Sequence, residues 1–124
     1  MKYCEIVKCK REALGMTQAE LAELVGITGA TISKYEKGET VSEIVVKAIR
    51  NELEAYIGKL SRLEQLQVSL LVQINSLKYE TNIDRKLTTL NYITIGIGKL
   101  GLELRKEQQL NEFDNGFYDP DKRL

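Results

Sequence analysis

Residues 17–38 read TQAELAELVGITGATISKYEKG, a stretch whose spacing predicts two short helices joined by one tight turn. Thr17 is followed three residues later by Glu20, the reciprocal pattern in which each side chain satisfies a backbone N–H at a helix start. A helix therefore begins near Gln18. Leu21, Ala22, Leu24 and Val25 give it an apolar face, and Gly26 follows where a helix end needs a residue that tolerates a left-handed backbone. Ile27 then turns toward the core. Thr28 is a second N-cap candidate, opening a helix whose inward positions are Ile32 and Tyr35 and which ends at Lys37 and Gly38. Ala22, four residues before the turn glycine, leaves room for the two helices to approach closely, the arrangement of a helix-turn-helix rather than of a general helical hairpin.

Working outward, residues 2–14 place Ile6, Val7, Cys9, Ala13 and Leu14 among Lys8, Lys10, Arg11 and Glu12, an amphipathic helix ending at Gly15. Downstream, Thr40 and Glu43 repeat the capping spacing, so a further helix is predicted from about Val41. Ile44, Val45, Val46, Ala48, Ile49 and Leu53 form its apolar face, read as a short fourth helix running into a fifth that ends near Ile57 and Gly58. With Leu14, Leu21, Leu24, Ile27 and Ile32 this makes one contiguous core.

These residues carry a resemblance. The Leu21, Ala22, Gly26 turn, the Thr17 and Gln18 opening and the TIS-x-YE-x-G run from Thr31 to Gly38 resemble the Cro/CI family of phage and bacterial repressors, also called the XRE family, over residues 3–55. The resemblance implies a five-helix lambda-repressor-like DNA-binding headpiece over residues 1–57 in an all-α protein. It also implies that Arg11 of the first helix pairs with Glu36 near the end of the recognition helix; the alternative is a solvated Arg11. Val41 stands where the family often carries proline, a favoured but not required first helical residue.

An α-helix fits the major groove of B-form DNA, where base edges present distinguishable donors, acceptors and the thymine methyl. In a helix-turn-helix the second helix lies there, with its N-terminal residues nearest the bases. The DNA-binding candidates are Gln18, Thr28, Gly29, Ala30, Thr31, Ser33, Lys34 and Lys37. Gly29 and Ala30 depart from family members with longer polar side chains, so Lys34 is the candidate for a guanine edge and Ala30 for a thymine methyl. Lys10, Thr17, Gly38 and Thr40 are weaker candidates for phosphate contacts.

Beyond Gly58 the pattern changes. Leu60, Leu63, Leu66, Leu70, Ile74 and Leu77 recur at three- and four-residue steps, the mark of a helix with a long apolar seam. Residues 79–82, YETN, interrupt it, with Thr81 or Asn82 available to cap the next segment. Leu90, Ile93, Ile97, Leu100 and Leu104 continue a heptad seam, flanked by Thr94, Gly98 and Gly101. Against a helix here, residues 93–97, ITIGI, alternate with period two and are rich in β-branched residues. A β-hairpin over 90–106 is the alternative to the C-terminal helical hairpin. The seams, Leu63, Leu66, Leu70, Ile74 and Leu77 with the second set, predict a dimerisation region over 58–110, and residues 111–124 read either as a flexible tail or as a docking motif.

Composition limits the remaining classes. Of 124 residues, Lys and Arg number 18 and Asp and Glu 18, with no His and two Cys. The first 57 residues hold eight Lys or Arg against nine Glu, so attraction to DNA rests on local placement rather than net charge. Without His, and with Cys4 and Cys9 five apart on one helix, neither a metal site, a disulfide nor a cofactor is expected. No base accompanies either Cys and no Gly-rich loop opens a helix, so no enzyme is expected. Neither a signal peptide nor a run of about 20 apolar residues occurs, so a cytoplasmic protein with no membrane contact is expected. The expected partners are double-stranded DNA and a second copy of the chain, the reading being a dimeric repressor of phage or mobile-element type on a palindromic operator. The alternative is an antitoxin or other protein-binding chain whose C-terminal region holds a partner while DNA binding serves autoregulation.

Overall fold

The computed structural model describes residues 2–114, with side-chain surroundings to residue 110. Six helices and no strand occur among the described residues: α1 (Tyr3–Ala13), α2 (Gln18–Val25), α3 (Gly29–Glu36), α4 (Glu43–Gly58), α5 (Arg62–Ser76) and α6 (Ile83–Asp114).

Local chemistry sets most of these boundaries. Thr17 Oγ1 accepts from the Glu20 N–H at 3.1 Å while the Thr17 N–H donates to Glu20 Oε1 at 3.3 Å, closing the capping box that starts α2. Gly26, at φ 84°, ends it, and the N–H groups of Gly26 and Ile27 both donate to the Ala22 carbonyl. Thr28 Oγ1 then accepts from the Thr31 N–H and opens α3.

The headpiece core is Val7, Leu21, Ala22, Ile32, Tyr35, Ile49 and Leu53, with Leu14, Leu24, Ile27, Val45, Val46 and Ile57 packed around it. α2 lies against α3 and α4, and α1 against α3. Arg50 stacks over the Tyr3 ring, 4.1 Å from its centroid, fastening α4 to α1.

Three expectations for this half need correction. The fourth and fifth helices are one continuous helix, because Val46, Ile49, Leu53 and Ile57 repeat on a single face and no Gly or Pro interrupts them before Gly58. Its cap is Ser42, whose Oγ accepts from the Val45 N–H, so the helix starts at Glu43 rather than near Val41. Ile44, expected in the core, is 82% exposed, since the inward face of the first turn belongs to Val45 and Val46.

α5 begins at the Ser61 cap, three residues after α4 ends. The Gln65 amide donates to the carbonyls of Ile57 and Leu60 at 3.2 and 3.1 Å, tying α5 to the end of α4 and to the connection between them. α5 lies along α1. Asn75 donates to the Cys9 carbonyl, and Lys78, just past the helix, meets Glu12 at 3.3 Å, a hydrogen bond that raises the pKa of its ammonium.

Asn82 Oδ1 accepts from the Arg85 N–H and caps α6. The α6 helix has 32 residues, about 48 Å at 1.5 Å per residue. It runs antiparallel to α5, with Arg62 at one end of α5 near Glu103 and Leu70 against Gly96. The β-hairpin over 90–106 is therefore not formed. The Thr88 and Thr94 hydroxyls bond back to the carbonyls of Asp84 and Leu90, satisfying themselves inside the helix. A Cβ on Gly96 would overlap the Leu70 side chain, so this glycine lets the two helices close.

The apolar seam divides. Leu70 and Ile93 are buried and Leu63, Leu66, Leu77 and Leu100 half-buried, while Ile74, Leu90, Ile97 and Leu104 are exposed. Of the two seams expected to face a second copy, Leu70, Ile93 and Leu100 instead serve the chain itself. The helix also passes the expected limit at residue 110, and the remaining tail reading, over 115–124, lies outside the described residues.

Candidate nucleic-acid interface

α2, the Gly26 turn and α3 are fixed from behind by one buried ion pair. Arg11 Nε donates to Glu36 Oε2 at 2.6 Å and Nη2 to Glu36 Oε1 at 2.9 Å, a two-pronged contact that matches guanidinium to carboxylate. Its third nitrogen, Nη1, donates to the Met16 carbonyl at 2.8 Å. The Gln18 amide adds a further bond to Glu36 Oε1 at 3.0 Å. Only 3% of the Glu36 side chain and 11% of the Arg11 side chain are exposed. The hydrogen bond to Glu36 raises the Arg11 pKa further above its already high range, so the guanidinium stays charged. The network joins the first residue of α2, the last of α3 and the α1–α2 connection.

Sequence reasoning found Arg11 and Glu36 but not the part played by Met16, because a backbone carbonyl leaves no residue-type signal. It counted Gln18 among the DNA-binding residues. In the structure that amide is already bonded to Glu36.

With Ile32 and Tyr35 buried on its inner side, α3 turns its other edge outward. Ala30, Lys34 and Lys37 are exposed, Thr31 and Ser33 half-buried. Thr28 and Thr31 share a hydroxyl hydrogen bond of 2.9 Å at the N-terminus. Gly29 is half-buried, and a Cβ there would lie 3.9 Å from Ala19 Cα, an ordinary contact. Because Arg11 compensates Glu36, the cationic groups at the C-terminal end of α3 are Lys34 and Lys37.

The weaker candidates separate. Thr17 and Thr40 are exposed, and Gly38 holds φ 84° just past α3. Lys10 instead lines a groove with Glu54, Ile57, Gln65 and Val68, between α1, α4 and α5. That groove is not the α3 edge.

Among the described residues no group of His, Cys, Asp and Glu is arranged to hold a metal ion, and no helix is long and apolar enough to cross a membrane. Cys4 and Cys9 are free thiols, and burial pushes the Cys9 pKa up.

A family model described as Helix-turn-helix matches residues 7–62, from within α1 to the first residue of α5. Comparison with curated proteins and with solved structures finds no match. Residues 7–62 are thus a helix-turn-helix of the XRE family, the DNA-binding domain of a transcription regulator of that kind.

Proposed function

We propose that the protein is a dimeric repressor, of phage or mobile-element type, that lays α3 in the major groove of each half of a palindromic operator. The observation that carries the proposal is the two-sided character of α3: Ile32 and Tyr35 are buried, while Ala30, Lys34 and Lys37 stand exposed on the outer edge. Lys34 reads a guanine edge, Ala30 contacts a thymine methyl, and Thr31 and Ser33 supply single hydrogen bonds. Lys37 and the N–H groups at the start of α2 hold phosphates, which fix register without reading sequence. Residues 1–57 bind DNA and residues 58–110 join two copies, so that two recognition helices meet half-sites about one helical turn, roughly 34 Å, apart.

The second reading, a chain whose C-terminal region holds a different protein, draws on the apolar side chains that α6 leaves exposed. It predicts that α6 gains protease resistance only with a protein encoded by a neighbouring gene. Selection of binding sites from random duplexes tests the main reading. Enrichment of a palindrome with half-sites one turn apart is expected; no enrichment at low salt overturns it.

A further inference from the structure

Five of the exposed apolar side chains of α6 form a regular row. Ile83, Leu87, Leu90, Ile97 and Leu104 are all exposed, and Thr94 and Gly101 fill the two remaining places in a strict alternation of four- and three-residue steps. Such a row lies along one side of a helix and is the seam by which two helices pair. It borders the side that meets α5, where Ile93, Gly96 and Leu100 sit.

Charge selects both direction and register. Asp84, Lys86, Arg105 and Glu107 flank the row at its two ends and have no side-chain partner among the described residues. In an antiparallel pair, flanking positions on the same side of the seam face each other. With the two-fold axis between Ile95 and Gly96, Asp84 meets the partner's Arg105 and Lys86 meets the partner's Glu107, and symmetry makes this four opposite-charge pairs. Sliding one helix by a heptad either way sets Asp84 against Gly98 or beyond the row, and a parallel pair sets Lys86 near Asn91 and Leu100 near Arg105. Within the row, neither gives an opposite-charge pair.

Packing agrees with charge. In that register Leu87 lies against the partner's Leu104, Thr94 against the partner's Ile97, and Leu90 against the partner's Gly101. A glycine weakens a helix interior. Gly96 is explained by Leu70, but a Cβ on Gly101 would meet nothing within 4 Å in its own chain. The partner's Leu90 gives Gly101 its reason.

We infer that two copies of the chain pair through antiparallel α6 helices, in the register that joins Asp84 to the partner's Arg105 and Leu90 to the partner's Gly101. The inference rests on the dimeric reading above and specifies its interface.

Sedimentation equilibrium of the full chain at low salt tests it. Asp84→Arg and Arg105→Asp each replace two attractions by two repulsions and raise the dimer dissociation constant about tenfold; combining them restores it to within about threefold. Thermal unfolding of both variants stays near wild type, which separates lost pairing from lost folding. Mixed Leu87→Cys and Leu104→Cys chains cross-link under oxidation, while Leu104→Cys alone stays at the wild-type background. A dimer that links Leu104→Cys to itself, or ignores both charge reversals, keeps the dimeric reading and overturns this register. A wild-type chain that sediments as a monomer overturns both.

Discussion

α3 and α6 are both amphipathic, but only one of them is completed by its own chain. α3 spans eight residues, buries Ile32 and Tyr35, and shows solvent small or charged groups. α6 spans 32 residues, yet Ile93 is its only fully buried large side chain among the described residues, and Leu87, Leu90, Tyr92, Ile95, Ile97, Leu102 and Leu104 are exposed. A solvated outer edge is usual for a helix that meets a polar ligand such as DNA, whereas a contiguous apolar one marks an interface. The two ends of the chain are thus prepared for different kinds of contact.

That contrast is broken most directly through Arg11. Replacing it by Ala strands a buried Glu36 carboxylate and frees the Met16 carbonyl, and a loss of about 3–5 kcal/mol is expected in urea unfolding. Lys8→Ala, on the same helix, stays within about 0.5 kcal/mol; equal losses for the two remove the special standing of the pair. Next in size is a comparison of apolar residues. Ile32→Ala opens the headpiece core and costs about 2–5 kcal/mol, whereas Ile97→Glu leaves headpiece unfolding unchanged, gives a monomer on gel filtration and loses operator binding. Leu70→Glu is a poorer probe, because it also disrupts the contact with Gly96.

Lys34→Ala sharpens the α3 side. It is expected to cost about 1–3 kcal/mol on the cognate site and to relax preference at one base pair, with no effect on melting. A loss uniform across all sequences makes Lys34 a phosphate contact instead. The smallest effect tests α6 by its glycines: Gly98→Ala, in open space, raises stability by up to about 1 kcal/mol through helix propensity. Gly96→Ala must push Leu70 aside and gains nothing.

The headpiece was legible because its signals are local. Thr17 and Glu20, Gly26 and Thr28 each fix a boundary through a hydrogen bond or a backbone angle within four residues, so no knowledge of distant packing is needed. Where two local signals competed, spacing misled. Thr40 with Glu43 repeated the capping spacing, but Ser42 holds the place. The expected division of α4 rested on no breaking residue. Farther along, periodicity identified apolar stripes without naming their neighbours, and so gave Leu70 and Ile97 the same dimerising role although the first packs inside the chain. The glycines at 96, 98 and 101 left helix and hairpin both open, and only the contact of Gly96 with Leu70 gives the helix a tertiary reason. The roles of Gln65 and Asn75, which bond to main-chain carbonyls of α4 and α1, had no counterpart in residue type alone.

Only residues 59–61 separate α4 from α5, and the Gln65 amide spans that corner by bonding on both sides of it. So short a leash leaves no slack. Whatever α6 grips, the reading head has to follow, and in the proposed dimer a single base pair inserted at the centre of a bound site is felt as torsion by both halves at once.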